Sequence, residues 1–295
     1  MTFSHLSIHT HFSVADSVVR PDELANAARE RGISALALTD LGNMFAMLKF
    51  YKACRQNQIK PILGADLRCD SLQDDHGDVD HASRFIVLAQ NGVGFINLKK
   101  LISYSYRDAE KLGVISFHKL ASYNEGLICL SGGKDGEIGR LLLDDRELEA
   151  REAALRYKEA FGDRFYLEVS RTGRRDETRY NHLAVLLADE LGIPLIATND
   201  VCMIKADQHE AHGARISIGN PVLRKDDKWR EKYSDQQYLR SSEEMQQVFA
   251  DLPDALANAV EVAKRCNLIL PTGEVHLPKL TDLEDSAENV LTEKV

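Results

Sequence analysis

The sequence predicts an α/β fold in which strands covered by helices close into a distorted barrel. Short β-rich apolar runs alternate with helical patterns, which is typical of parallel βα units. About seven such units precede the last ~30 residues, and that number favours a barrel over a small open sheet. The length of 295 residues and the hydrophobic content of 44% suit one large domain, with or without an appendage. A doubly wound open sheet is the alternative.

The predicted elements follow one another regularly along the chain. Pro21 and Pro253 suit first helical turns, and Gly32 and Gly192 suit helix ends. The predicted strands are 6–8, 33–38, 61–67, 85–89, 127–130, 165–169 and 194–197. The predicted helices are 21–31, 44–56, 94–106, 145–160, 177–191, 242–249 and 253–265.

Three stretches interrupt this alternation. Residues 70–83 are acidic and predict an exposed loop, and residues 221–235 predict an irregular surface segment that carries the only tryptophan, Trp229. Residues 268–280 predict an extended segment, and residues 283–295 predict the start of an acidic helix that stops abruptly. We therefore expect residues 1–267 to form the barrel domain. Residues 268–295 would form a linker and the beginning of a further module of a longer protein.

Composition limits the possible compartments and partners. The formal net charge is -9, so a surface that is basic throughout is excluded, although a local basic patch is compatible with it. The five cysteines include no CxxC pair, which favours free thiols in a reducing cytosol. No apolar run approaches the roughly 20 residues that span a bilayer, and no signal-peptide pattern opens the chain. These features predict a cytoplasmic protein without membrane segments.

Acids and imidazoles collect at the ends of the predicted strands, where barrel enzymes place their chemistry. The pattern is that of a metal-dependent phosphoesterase from which most ligands are missing, because neighbouring side chains are apolar, hydroxylic or cationic. Four segments carry it: Ser7-Ile8-His9-Thr10-His11-Phe12-Ser13, Thr39-Asp40-Leu41-Gly42-Asn43, Gly64-Ala65-Asp66 and Asn199-Asp200-Val201-Cys202.

Other patterns have plainer interpretations. His209 and His212 lack the HExxH spacing and predict a pair on a helix surface. The glycine-rich residues 131–136 lack a complete phosphate-loop pattern and predict a strand-to-helix turn. The basic residues 171–175 could touch a phosphate or form a solvated loop, and both interpretations stay open. A leucine stripe at 186, 187 and 191 predicts ordinary helix core.

Taken together, the motifs resemble the PHP (polymerase and histidinol phosphatase) family. They are most similar to the PHP domains that open the α subunit of proteobacterial-type DNA polymerase III. The resemblance runs nearly end to end, and intact members of the family hold a metal cluster in a distorted (β/α)7 barrel. It rests on segments such as Leu48-Lys49-Phe50-Tyr51, Ile59-Lys60-Pro61-Ile62, Leu130-Ser131-Gly132-Gly133, Ala197-Thr198-Asn199-Asp200 and Ala263-Lys264-Arg265-Cys266-Asn267.

The family's metal ligands can be carried over position by position, and His11 falls where the family uses no ligand. Asp40 keeps the aspartate of the family's Asp-His-Gly motif. Four positions keep a plausible ligand: His9, Asp16, Asp66 and Asp200. Five positions depart from the pattern: Ser7, Leu41, Arg84, Thr172 and Cys202. Arg84 in particular would repel a divalent cation. We expect Arg84, helped by Arg171, to act as counterion to the converging aspartates.

The resemblance implies a domain without catalytic residues of its own. Such a domain would be a scaffold for the ε proofreading exonuclease subunit and a brace for the polymerase module. The remaining polymerase III holoenzyme and DNA would be reached through the parent chain, a DNA-directed DNA polymerase (a nucleotidyltransferase) that uses Mg²⁺. No cofactor is expected in this domain. One alternative is a residual metal-dependent phosphoesterase or pyrophosphatase that holds one Mg²⁺ or Mn²⁺ ion at His9, Asp16, Asp66 and Asp200. A free-standing phosphatase of the histidinol-phosphate type is a third hypothesis.

Overall fold

The computed structural model describes residues 3–14, 16–70, 82–107, 109–219 and 229–271. Seven strands form one curled sheet, and helices cover its outer face. The strands are Ala35–Leu38 (β1), Lys60–Cys69 (β2), Ser83–Ala89 (β3), Val114–Ile115 (β4), Leu127–Leu130 (β5), Phe165–Ser170 (β6) and Leu195–Thr198 (β7).

The sheet has the order β1-β2-β3-β5-β6-β7, and β4 pairs with the end of β2. The N-terminal segment lies between the two outer strands. Its His5 forms a parallel bridge to Leu36 of β1, and its Ile8 forms a parallel bridge to Val201, just after β7. Backbone hydrogen bonds of 2.9 Å from His9 to Val201 and from Val201 to Ser7 support the second bridge. Residues 5–9 thus complete a ring, which confirms the predicted distorted barrel over the open sheet.

Strand direction differs from the prediction at one place. β3 runs antiparallel to both of its neighbours, β2 and β5, whereas β1-β2, β2-β4, β5-β6 and β6-β7 are parallel pairs. β2 and β3 follow each other along the chain as neighbouring antiparallel strands, whereas the prediction was parallel βα units throughout. The predicted strand 6–8 also forms only isolated bridges, not a regular strand.

All seven predicted helices are present, with ends shifted by no more than three residues. The described helices are Pro21–Glu30 (α1), Met47–Gln56 (α2), Gly92–Arg107 (α3), Phe117–Ser122 (α4), Glu137–Leu143 (α5), Glu147–Phe161 (α6), Glu177–Leu191 (α7), His209–Gly219 (α8), Trp229–Lys232 (α9), Ser242–Val248 (α10) and Pro253–Arg265 (α11). Pro21 and Pro253 begin their helices as expected, and Gly192 ends α7 in the left-handed conformation that glycine favours.

Two hydrophobic clusters hold the helices on the sheet. The larger one joins β2, β3, β5 and β6 to the helices α3, α6, α7 and α11. The smaller one joins β1 to α1 and α2. The strands are buried on both faces, which is why they read as continuous apolar runs in the sequence. None of the helices in the described ranges is long and apolar enough to cross a membrane.

Three side chains lie elsewhere than predicted. Trp229 is 4% exposed and packs against α8 instead of lying over the surface. His212 is fully buried, so the pair with His209 is not a surface pair. Leu186 is 56% exposed, which leaves only Leu187 and Leu191 as helix core. The helix predicted at 283–295 and residues 71–81 of the predicted acidic loop lie outside the described residues. The division at residue 267 stays a prediction.

Candidate active-site remnant at the strand ends

The converging strand ends enclose a polar cavity of about 180 Å³. It is built by the N-terminal segment, by β2 and β3, and by the loops that follow β6 and β7. Segments that end at one edge of a barrel bring their terminal side chains together, as the sequence predicted. Its lining consists of His9, Asp16, Leu41, Asp66, Arg68, Ala82, Arg84, Asp135, Arg140, Arg174, Asp200, Cys202, Lys232, Tyr233 and Gln237.

Strand register brings Arg84 onto Asp66. In the antiparallel pair of β2 and β3, Asp66 lies opposite Ile86, and Arg68 lies opposite Arg84. Arg84 and Ile86 share one face because side chains alternate along a strand, so Arg84 is the diagonal neighbour of Asp66. The Arg84 Nε donates to Asp66 Oδ2 in a short ion pair, with side chains 16% and 1% exposed.

Arg84 also reaches across the barrel to Asp200. Its guanidinium donates to Asp200 Oδ1 at 2.5 Å, and Arg174 donates to Asp200 Oδ2 at 2.9 Å. Ser7 and Gln237 add hydrogen bonds of 3.2 and 3.0 Å to the same carboxylate. Burial alone would raise the pKa of Asp200, but the charges of Arg84 and Arg174 hold it well below its usual range. Asp200 is therefore a fully paired carboxylate.

His9 lies between two carboxylates. Its Nδ1 bonds to Asp16 Oδ2, and its Nε2 lies 3.0 Å from Asp66 Oδ2. A ring with a carboxylate at each nitrogen must donate from both, so it is an imidazolium. Burial alone would lower the pKa of His9, but Asp16 and Asp66 together raise it to about 10. His9 thus contributes a positive charge to the cavity.

Asp16 completes the chain of contacts on this side. Its second oxygen accepts a short hydrogen bond from the Tyr233 hydroxyl. Burial would raise the pKa of Asp16, but the charge of His9 and its hydrogen bond hold that pKa well below its ordinary value. In the order Asp16, His9, Asp66, Arg84, Asp200, Arg174, acids and cations alternate through the cavity.

The four predicted ligands do not fit a divalent cation in this arrangement. A histidine ligand needs a free lone pair on one ring nitrogen, and both nitrogens of His9 carry protons. Both oxygens of Asp200 and of Asp16 accept hydrogen bonds, so among the carboxylates of the four predicted ligands only Asp66 keeps a buried oxygen, Oδ1, without a partner in the described structure. A cation would have to displace Arg84. Over the described ranges, no three His, Cys, Asp or Glu side chains are grouped as a metal site requires.

The other predicted positions divide between the cavity wall and its supports. Leu41 lies in the wall, and Ser7 lies behind it on Asp200. Asp40 is buried outside the cavity, where it accepts hydrogen bonds from the Thr10 backbone and from the hydroxyls of Thr10 and Ser13. Asp40 therefore fixes the N-terminal loop.

Two further positions became structural partners. The Thr172 hydroxyl donates to Glu177 at 2.9 Å and accepts from Arg174 at 3.0 Å, which places Thr172 beneath the loop and outside the cavity. Cys202 lines the cavity, with its sulfur 3.8 Å from His212 Nδ1. Burial raises the pKa of the Cys202 thiol well above its ordinary value, so it is held as a neutral thiol.

The second counterion is Arg174, not Arg171. Arg171 turns outward, where its guanidinium pairs with Asp251 at 2.5 and 2.7 Å and donates to the Val248 carbonyl. Arg174, by contrast, is 6% exposed and lies within 3.6 Å of both Asp135 and Glu177 in addition to Asp200. The basic residues 171–175 indicated that an arginine lies near the cavity, but the sequence did not indicate which of them points inward. Nothing in the sequence pointed to Tyr233 or Gln237.

Two motifs outside the ligand set support the cavity. His212 Nε2 donates to the Asp16 carbonyl at 2.7 Å and so anchors α8 to the N-terminal loop. The glycine-rich residues 131–136 form the predicted strand-to-helix turn between β5 and α5. A Cβ at Gly132 would lie 2.2 Å from the Arg84 carbonyl, so this turn packs directly on the arginine's backbone.

Comparison with known proteins identifies a family and named relatives. Residues 5–172 match the family described as "PHP domain". The chain is 44% identical over 279 residues to "DNA polymerase III subunit alpha" of Pseudomonas fluorescens, covering 94% of this chain and 23% of that protein. It is 42% identical over 296 residues to the protein of the same name from Escherichia coli strain K12, covering 99% of this chain and 25% of that protein. The chain therefore spans about a quarter of the length of these relatives.

Among solved structures, an amidohydrolase from Chromobacterium violaceum matches with a TM-score of 0.46 and 15% identity, covering 68% of this chain and 87% of that one. A likeness of this size does not bear on function.

Proposed function

The chain belongs to the PHP domain family, and on that premise we propose that it is a catalytically silent member in which arginines replace the metal cluster. The observation that carries the proposal is the position of Arg84, whose guanidinium joins Asp66 to Asp200. A fixed positive charge there neutralises the carboxylates that a metal would otherwise neutralise. Without a metal to lower the pKa of bound water from 15.7 to about 7, phosphoester hydrolysis lacks its nucleophile.

The domain's role would then be structural, in a replicative polymerase. Relatives that are 37–44% identical are named DNA polymerase III subunit alpha, so we propose that this chain is the N-terminal PHP domain of such a subunit. It would brace the polymerase module and carry the ε proofreading exonuclease subunit, and the parent chain would work in the cytoplasm. Residues 1–267 would form the domain, and 268–295 would lead into the polymerase module.

The metal content of the purified chain tests directly the proposal that arginines replace the metal cluster. The chain is purified without chelator or added metal, and Zn, Mn, Fe and Mg are quantified per molecule. We expect well under about 0.1 equivalents of each, and no change of melting temperature with Mn²⁺ or Zn²⁺, because Arg84 and His9 already neutralise the acids. One or more equivalents, lost in Asp200→Ala, would contradict the proposal.

The scaffold role needs a separate test. Immobilised chain is exposed to purified ε subunit and, as a control, to an unrelated nuclease of similar charge. We expect saturable binding of ε alone. A failure to bind ε at about 10 µM would leave a silent PHP domain without this partner and would refute the scaffold role.

A residual phosphoesterase is the second candidate function. The observation in its favour is Asp66 Oδ1, a buried carboxylate oxygen of the predicted ligand set that keeps no hydrogen-bond partner in the described structure. If one Mg²⁺ or Mn²⁺ bound there, hydrolysis of pyrophosphate or nitrophenyl phosphate would require added metal and would disappear in Asp200→Ala. Hydrolysis that persists in Asp200→Ala would identify a contaminating enzyme.

A further inference from the structure

A groove outside the central cavity concentrates positive charge on an otherwise acidic chain. It has a volume of about 680 Å³ and lies between the start of α1, the exposed side of α2 and one residue of α8. We call it the basic groove, and its charged lining consists of His11, Arg20, Asp22, Lys49, Lys52 and Arg215. Four of these residues are permanently cationic near neutral pH and one is acidic, whereas the whole chain carries a formal charge of -9.

Within the described ranges, most of the cationic side chains of the groove form no ion pairs with acidic side chains. Lys49, Lys52 and Arg215 form no ion pair with any carboxylate in the described part of the chain. Arg20 lies 3.9 Å from Glu23, but both side chains are at least half exposed, so that pair is weak. The groove therefore presents positive charge to the solvent.

The groove is also organised. Lys49 and Lys52 are three residues apart on α2 and project from the same side of that helix. Arg215 is anchored opposite them by hydrogen bonds of 2.6 Å to the Val14 carbonyl and 3.0 Å to the His11 carbonyl. Anchoring reduces the side-chain entropy that a ligand contact would otherwise cost.

Aromatic and apolar surface adjoins the charges. The Lys49 ammonium lies 5.1 Å from the centre of the Phe12 ring, and this ring packs on His11 at 4.3 Å. On the same segment as Lys49, Phe45 is 73% exposed and Leu48 is 53% exposed. Cations beside an exposed ring such as Phe45 are a combination by which proteins hold a nucleic-acid strand, because the cations meet phosphates and the ring meets a base.

We propose that the basic groove binds the phosphodiester backbone of a nucleic-acid strand. An open groove with cations spread along it matches a repeating polyanion better than one small anion, which requires donors converging on a point. An acidic peptide offers the same sign of charge but not the row of flat bases that can stack on the exposed ring of Phe45. The proposal rests on this surface alone and is independent of the chemistry of the central cavity.

Binding of labelled DNA to the whole chain tests the proposal. A dT oligonucleotide and a duplex of equal length are titrated at several salt concentrations, with polyglutamate as the competing polyanion. We expect binding whose logarithm falls linearly with the logarithm of salt concentration. Lys49→Glu/Lys52→Glu should weaken it about tenfold at low salt and reduce the magnitude of the salt slope by about two.

Arg55→Glu is the control, and it is compared with Lys52→Glu alone because each of these variants reverses a single charge. Arg55 is exposed on the same helix, one turn beyond Lys52, but it does not line the groove. Lys49 and Lys52 are exposed, so the melting temperature should be unchanged in all variants. Retained DNA binding in Arg55→Glu supports the proposal. Absence of DNA binding, equal losses in both variants, or tighter binding of polyglutamate than of DNA would each overturn it.

Discussion

At the scale of single residues, side-chain cations neutralise the acids of the central cavity. Arg84, Arg174 and the imidazolium of His9 alternate with Asp16, Asp66 and Asp200. Desolvated carboxylates stay ionised only when they are paired. The same aspartates that suit a metal cluster therefore also suit a salt-bridge network, and in our proposal Arg84 is the cation that joins two of them.

The charge of His9 gives stability a specific dependence on pH. The pKa of His9 is about 10 in the folded chain against 6.5 for the free side chain. A raised pKa means that its contribution is complete below about pH 6.5 and is lost as the pH rises through about 10. We expect the free energy of unfolding to fall over this window in the wild type and to fall less steeply in His9→Gln. Equal slopes in urea titrations of the two proteins would contradict the imidazolium assignment.

Replacing Arg174 and Arg171 one at a time should show which of the two is the buried counterion and which is a surface residue. Arg174→Ala removes a buried cation from Asp200, Asp135 and Glu177, so we expect a loss of about 3–5 kcal/mol in the free energy of unfolding. Arg171→Ala removes a pair with Asp251, which is 65% exposed, so we expect a loss of about 1 kcal/mol or less. Chemical denaturation of both variants measures the difference. A larger loss in Arg171→Ala would reverse the assignment.

At the scale of elements, the periodicity of apolar residues predicted where helices and strands occur better than it predicted the direction of each strand. The apolar run at 85–89 indicates a buried strand equally well in either direction, so the antiparallel course of β3 was not visible. Yet that course sets the register that joins Arg84 to Asp66. The convergence of His9, Asp16, Asp66 and Asp200 on one cavity was predictable because motif residues end the strands, and their role as ligands stays a prediction. Which arginine of 171–175 turns inward depends on the loop, and loops carry no periodicity.

Burial of α8 against α9 was also hidden, because a charged segment around a lone tryptophan resembles a surface excursion. A Cβ at Gly213 would lie 2.3 Å from Trp229 Cζ2. We expect Gly213→Ala to push the indole outward, with a red shift of its fluorescence and a loss of about 1–3 kcal/mol in stability. Trp229 is the only tryptophan, so the signal is unambiguous. Ala214→Ser, at an exposed position of the same helix, is the control, and an identical spectrum in both variants would contradict the packing.

At the scale of the whole molecule, one barrel carries two differently charged regions. The central cavity is internally neutralised, and the basic groove at its periphery keeps its cations available to solvent. A formal net charge of -9 predicted neither region, because net charge averages over surfaces that a ligand meets one at a time. We propose that the salt-bridge network of the cavity stabilises the barrel, whereas the outer surface binds partners.

The free energy of unfolding of Arg84→Ala tests the central claim most directly. Removing the guanidinium takes away the buried cation that joins Asp66 to Asp200 and leaves each acid with one remaining counterion, His9 or Arg174, so we expect a loss of about 3–5 kcal/mol. Arg68→Ala is the matched control: Arg68 lies directly opposite Arg84 in the sheet and is exposed, and its removal should change stability by no more than about 0.5 kcal/mol. If Arg84→Ala proved no less stable than Arg68→Ala, the guanidinium could not be the replacement for the metal.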